Sequence, residues 1–230
     1  MSYRAIIFDL FGTIVDGFAA SAVGYQEQFS AALGVPQDAL MPHWRQLTDR
    51  RTLGEFQTIE ASIEHVCNII GLSATEEQIA RAIEIRLQLT RRALTPRPDA
   101  LATLQKLKAD GFKIGLLSNC SIEIPIVWPE TAFAEWFDST VFSARERIKK
   151  PAAEIYHLAC RRLGVAPKEC VYVADGENYE LTAAKNVGMR PVLIATSAVR
   201  GEERREAADW QGDTIPNLGA VLTLVPKRPA

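Results

Sequence analysis

The stretch Ala5-Ile6-Ile7-Phe8-Asp9-Leu10-Phe11-Gly12-Thr13 decides the fold. A short apolar run bounded by a turn signal reads as a buried strand of a parallel sheet. This run ends in a carboxylate. Desolvating a carboxylate is costly unless it has partners or a task. Taken alone, Asp9 reads equally well as a turn residue ahead of Gly12. The rest of the chain settles the choice.

Outward from this strand, the sequence shows two regimes. Residues 1–16 and 98–230 alternate short apolar runs with helical patterns, the signature of βαβ units and a doubly wound α/β sheet. Strands are predicted at Ala5–Phe11, Phe112–Ser118, Ser139–Ser143, Cys170–Ala174 and Pro191–Ala195. Helices are predicted at Asp99–Ala109, Ala152–Leu163 and Glu180–Val187, each followed by a glycine suited to ending it. Residues 17–97 hold no convincing strand. Their pattern predicts helices at Ser21–Leu33, Ala39–Thr52, Phe56–Ile70 and Thr75–Leu94. The last opens with the capping-box spacing Ser73-Ala74-Thr75-Glu76 and carries Ile79, Ile83, Leu87 and Leu94 on one stripe. An all-helical insert after the first strand is expected to cover that strand's C-terminal end, where ligands of open parallel sheets bind. The plainer alternative is a helical subdomain that only adds bulk.

Composition narrows the classes. The chain has 230 residues, 47% hydrophobic and 23% charged, as in an ordinary globular protein. A net charge of −2 and a pI near 6.0 give no support to nucleic-acid or membrane-surface binding. The four cysteines lack a CxxC spacing and read as free thiols of a reducing compartment. The first apolar stretch is broken by Asp9 and Asp16, so neither a signal peptide nor a membrane span is expected, and the cytoplasm is the expected location.

In a doubly wound sheet, four chain-distant points converge on one edge. Asp9 closes the first strand, Ser118-Asn119 the second, Lys150-Pro151 precedes a helix, and Asp175 closes Val171-Tyr172-Val173-Ala174. This set suits attack by Asp9 on an electrophilic phosphorus or carbon. Ser118 and the amides near Asn119 can hydrogen-bond phosphoryl oxygens, and Lys150 can neutralise developing charge. Asp9 and Asp175 together favour a hard cation such as Mg2+. Individually each residue has a bland reading: Ser118-Asn119 as a strand-to-loop pair, Lys150 as solvated beside Lys149, and Asp175-Gly176 as a turn. Their joint order at strand ends is what argues for function.

That order resembles the haloacid dehalogenase (HAD) superfamily across essentially the whole core. Asp9 through Thr13 resembles its motif I, Ile114–Asn119 motif II, Lys150-Pro151 motif III, and Ala174-Asp175 with Glu180, Ala184 and Gly188-Met189 motif IV. The resemblance implies a Rossmann-like core with a helical cap inserted at 17–97. It implies Asp9 as nucleophile, Thr13, Ser118 and Lys150 as its catalytic companions, and Phe11, Gly12, Ser118, Asn119, Lys150 and Arg45 as substrate-binding. It also implies Mg2+ held by Asp9, the Phe11 carbonyl, Asp175 and Glu180. Two departures matter. Glu180 stands where the family has its second motif IV Asp. Phe11 stands where the family's phosphatases have a second motif I Asp, and a phenyl ring cannot protonate a leaving alcohol.

Three readings follow. The first is a Mg2+-dependent phosphatase of a small phosphorylated metabolite, working without the usual acid. The second is a metal-independent 2-haloacid dehalogenase, favoured by Phe11, Trp44-Arg45 and Tyr156 and disfavoured by the acidic Asp175 and Glu177. The third is a non-catalytic binding protein. A phosphonatase-type Schiff base is disfavoured because residues 17–97 contain no lysine. His43, Arg50 and Arg51 join Arg45 as candidate substrate contacts in the cap. The expected partners are a small molecule and, as an option, a second copy of the chain.

Overall fold

The computed structural model describes residues 3–17, 24–195 and 205–225. Its centre is a six-stranded sheet of β1 (Ala5–Phe8), β2 (Lys113–Ser118), β3 (Ser139–Phe142), β4 (Cys170–Ala174), β5 (Arg190–Ile194) and β6 (Asp213–Ile215). The strand order is β3-β2-β1-β4-β5-β6, and every pairing is parallel. β1 lies between β2 and β4, with Phe8 opposite both Leu116 and Val173. Strand order reverses beside β1, which opens a crevice at its carboxyl end.

Both faces of the sheet are covered, which is why its strands read as unbroken apolar runs. Ile6 and Phe8 pack with Leu104 and Leu107, while Ala5 and Ile7 pack with Tyr156, Leu163 and Leu181 on the other side. Burying Ile6, Ile7 and Phe8 completely stabilises the fold by roughly 1.5–3 kcal/mol each.

The helical insert comprises α1 (Tyr25–Ala32), α2 (Gln37–Gln46), α3 (Thr48–Thr52), α4 (Ile59–Ile69) and α5 (Glu76–Ala93). It buries a cluster of its own around Phe29, Leu40, Trp44, Ile63 and Leu89. The remaining helices are α6 (Ala100–Ala109), α7 (Glu123–Val127), α8 (Ser143–Glu146), α9 (Ala153–Leu163), α10 (Glu180–Asn186), α11 (Arg205–Asp209) and α12 (Val221–Leu224). None of the described helices is long and apolar enough to cross a membrane.

Several boundaries differ from the sequence reading. β1 ends at Phe8 rather than Phe11, because the Leu10 carbonyl accepts from the N–H groups of Thr13, Ile14 and Val15 and turns the chain back. The helix predicted from Ala39 to Thr52 is two helices, α2 and α3, meeting at Leu47. The α5 cap is Thr75 with Gln78, two residues beyond the predicted Ser73. The buried stripe of α5 is Ile79, Ala82, Arg86, Leu89 and Ala93, with Ile83 and Leu87 at its margin. β6 was not predicted, because its three residues include a single apolar one. The start of the helix predicted from Ser21 lies outside the described residues.

Candidate active site

Asp9 follows β1 directly and is 5% exposed. The turn after it depends on Gly12, whose φ of 74° belongs to the left-handed region that glycine tolerates. That turn returns Thr13 to Asp9, where the Thr13 hydroxyl donates to Asp9 Oδ2 at 3.1 Å. The other carboxylate oxygen, Oδ1, accepts from Lys150 Nζ at 2.5 Å.

Lys150 is also buried, and its ammonium donates to Glu180 Oε2 at 2.5 Å and to the Tyr172 hydroxyl at 3.1 Å. Tyr172 in turn donates to Glu180 Oε2 at 2.6 Å. The Asn119 side chain clamps the Lys150 backbone from both sides: Nδ2 donates to the Lys150 carbonyl at 3.0 Å, and Oδ1 accepts from its N–H at 2.8 Å. This fixes where the Lys150 side chain begins.

Burial is the largest influence on Asp9 and pushes its carboxyl up to about 6, with Lys150 pulling down and Glu180 adding to the rise. Burial works against the Lys150 ammonium, but Asp9 and Glu180 outweigh it and hold the group well above the ordinary lysine range. Burial, then Glu180, drives the Tyr172 phenol well above its usual value, so it remains a donor.

Asp175, two residues past Val173, joins this group. Asp9, Asp175 and Glu180 are the three residues, among those described, whose oxygens lie within 4.8 Å of one another and could hold a metal ion. Asp9 and Glu180 both contact the Lys150 ammonium, and Asp175 brings a third buried carboxylate within 4.8 Å of theirs, a grouping that suits a hard cation. Glu180 is already engaged at both oxygens, since Oε1 accepts from the Glu177 N–H at 3.2 Å.

A cavity of about 790 Å3 lies between this cluster and the helical insert. Asp9, Phe11, Gly12, Asn119, Lys150 and Glu180 line it from the sheet side. From the insert come Trp44, Arg45, Arg51 and Arg86. Arg45, exposed, donates to Gln26.

Not every predicted residue reaches the wall. Ser118 is fully buried and does not line the cavity, although its Oγ has no hydrogen-bond partner among the described residues. Tyr156 is fully buried, stacks edge-on with Tyr172 and donates to the Glu180 carbonyl, so it braces the site from inside the core. His43 and Arg50 are not part of the wall, and Arg50 is engaged by Glu55 and His65. Sequence reasoning missed Tyr172 and Arg86. A tyrosine inside an apolar strand, and an arginine on the apolar stripe of a helix, both signal a buried polar partner.

A family model for haloacid dehalogenase-like hydrolases matches residues 3–188. The chain belongs to that family and is a hydrolase. The (S)-2-haloacid dehalogenase of Pseudomonas putida is 30% identical over 197 residues, covering 80% of this chain and 81% of that protein. The glyceraldehyde 3-phosphate phosphatase of Methanopyrus kandleri is 30% identical over 157 residues, 68% of this chain and 67% of that one. A HAD phosphatase structure from Thermococcus onnurineus shares the fold, with a TM-score of 0.68 at 21% identity over 99% of this chain and 100% of that chain. The relatives therefore include both dehalogenases and phosphatases.

Proposed function

We propose that the protein is a Mg2+-dependent phosphatase of a small phosphorylated metabolite, acting through an aspartyl-phosphate on Asp9. The observation that carries this reading is the convergence of Asp9, Asp175 and Glu180 within 4.8 Å. A metal-free hydrolase acting on an anion gains nothing from three buried carboxylates, which repel the substrate. Asp9, Asp175 and the Phe11 carbonyl would hold the ion, with Glu180 behind them as the partner of Lys150. The bound ion would supply neutralising charge for the phosphoryl oxygens.

The chain's own groups do the rest. Thr13 and Lys150 each hold one oxygen of Asp9, which fixes the carboxylate's orientation for attack on phosphorus. The Asp9–phosphorus bond forms as the bond to the leaving oxygen breaks, and the leaving group takes its proton from solvent. Water then attacks phosphorus, releasing phosphate and restoring Asp9. Lys150 and the amides after Ser118 stabilise the phosphoryl charge. General acid help is worth about 100- to 10,000-fold, so with Phe11 in the acid's position esters of acidic alcohols turn over best. In this reading residues 17–97 are the cap domain, supported by their separate hydrophobic cluster, and 1–16 with 98–230 the catalytic core.

Titration calorimetry tests the ion site. Wild-type protein should bind Mg2+, and Asp175→Asn should bind it at least about tenfold more weakly, in line with loss of one charged ligand. Equal affinity in the two proteins would place the ligands elsewhere.

A 2-haloacid dehalogenase is the second reading, favoured by the phenyl ring of Phe11 and the guanidinium of Arg45 on the cavity wall. There Asp9 would attack the carbon bearing the halogen, and halide, which needs no proton, would leave.

A further inference from the structure

We propose that Arg51 forms a second anion subsite at the cap end of the cavity, and that the substrate carries a carboxylate remote from its phosphoryl group. This rests on the phosphatase reading for the phosphoryl end alone.

Arg51 is 9% exposed and lines the cavity. Its guanidinium lies over the Trp44 ring, 4.0 Å from the centroid. Nη1 donates to the Trp44 carbonyl at 2.6 Å and Nη2 to Thr48 Oγ1 at 3.3 Å. Its Nε is buried with no hydrogen-bond partner, and no carboxylate among the described residues pairs with it. The neighbouring acid pairs with Arg86: Glu123 Oε1 accepts from Arg86 Nε at 2.8 Å and from Nη2 at 2.5 Å, while Glu123 Oε2 is buried without a hydrogen bond. Arg86 Nη1 is engaged by the Tyr25 hydroxyl. The buried group of Arg51, Arg86 and Glu123 therefore carries one uncompensated positive charge. Burial and then repulsion from Arg86 bring the Arg51 guanidinium down to about 10, still charged at neutral pH.

An uncompensated buried cation is costly, and a ligand anion would remove that cost. The planar guanidinium fork of Arg51 suits a planar monoanion, and Nη2 keeps a hydrogen beyond the one it gives to Thr48. One net charge also calls for one carboxylate rather than a second phosphate.

The position of Arg51 is fixed from the sheet side. The Ser143 hydroxyl donates to the Thr52 carbonyl at 2.6 Å, and Lys149 pairs with Asp49 at 2.7 Å. Gly54 follows with φ +67°, and a Cβ there would fall 1.9 Å from the Ala144 carbonyl oxygen. Only glycine lets α3 sit this close. Arg51 is thus held at a set place relative to Asp9, as a subsite that measures substrate length requires.

Equilibrium binding tests this without turnover. Calorimetry compares phosphonocarboxylates of two, three and four carbons with alkylphosphonates of the same length, in Mg2+. At least one phosphonocarboxylate should bind wild-type protein about 10- to 100-fold more tightly than its alkyl counterpart, the range of a buried charge-assisted hydrogen bond. Arg51→Met, which keeps an apolar chain on Trp44, should lose that preference and bind alkylphosphonates within about twofold of wild type. Arg51→Lys, keeping the charge without the fork, should retain part of the preference, and serves if the Met variant melts early. No preference at any length, or a preference that survives in both variants, overturns the proposal. Turnover of p-nitrophenyl phosphate by the same proteins separates this outcome from failure of the phosphatase reading, in which neither turnover nor phosphonate binding is seen.

Discussion

Asp9→Asn is expected to lower turnover of p-nitrophenyl phosphate by at least about 10,000-fold, because an amide oxygen cannot form the covalent intermediate. The fold should survive. Burial already disfavours the charge of Asp9, and the neutral amide has the same shape. Lys150 would keep Glu180 and Tyr172 as partners. Circular dichroism should therefore be unchanged and the melting midpoint should move by only a few degrees. Near-normal turnover, with mass spectrometry excluding reversion to Asp, would remove Asp9 from the reaction.

Lys150→Met should give the largest loss of stability of any single change at the site. Lys150 is the one cation that directly contacts Asp9 and Glu180 among the described residues, at 2.5 Å from each. Removing one partner from a buried ion pair typically costs about 3–5 kcal/mol, because the remaining charge is left uncompensated. Here two carboxylates are left. In a chain of this size each kcal/mol moves the melting midpoint by about 2–4 °C, so a drop of roughly 10 °C or more is expected in EDTA. Turnover should fall with it, since the variant also loses the group that holds Asp9 Oδ1. A melting curve within 2 °C or so of wild type would mean that solvent reaches the cluster far more freely than its burial implies.

The sheet was legible because parallel strands buried on both faces leave apolar runs that polar turns interrupt. β6 escaped because Asp213-Thr214-Ile215 is an edge segment with little apolar content. The convergence of Asp9, Lys150 and Asp175 was legible from strand-end positions, since parallel sheets bring those ends to one edge. The details came from contacts between residues far apart in the chain. Nothing local to Asn119 shows that its side chain clamps the Lys150 backbone 31 residues away. Nothing local to Arg86 shows that its pairing with Glu123, 37 residues on, lets the buried stripe of α5 run through it. Ser118 was placed on the crevice wall by its strand-end position. The structure puts Asn119, Cys120 and Ser121 there, with Ser118 itself enclosed. The Cys120 thiol, pushed up to about 12 by burial, remains protonated.

The most direct test is one turnover assay of wild-type protein on p-nitrophenyl phosphate and on 2-chloropropionate, each with Mg2+ and with EDTA. Phosphate release that requires Mg2+ and stops in EDTA, with no chloride release in either condition, is the predicted result. Chloride release from 2-chloropropionate that persists in EDTA, with p-nitrophenyl phosphate untouched, would contradict the phosphatase account.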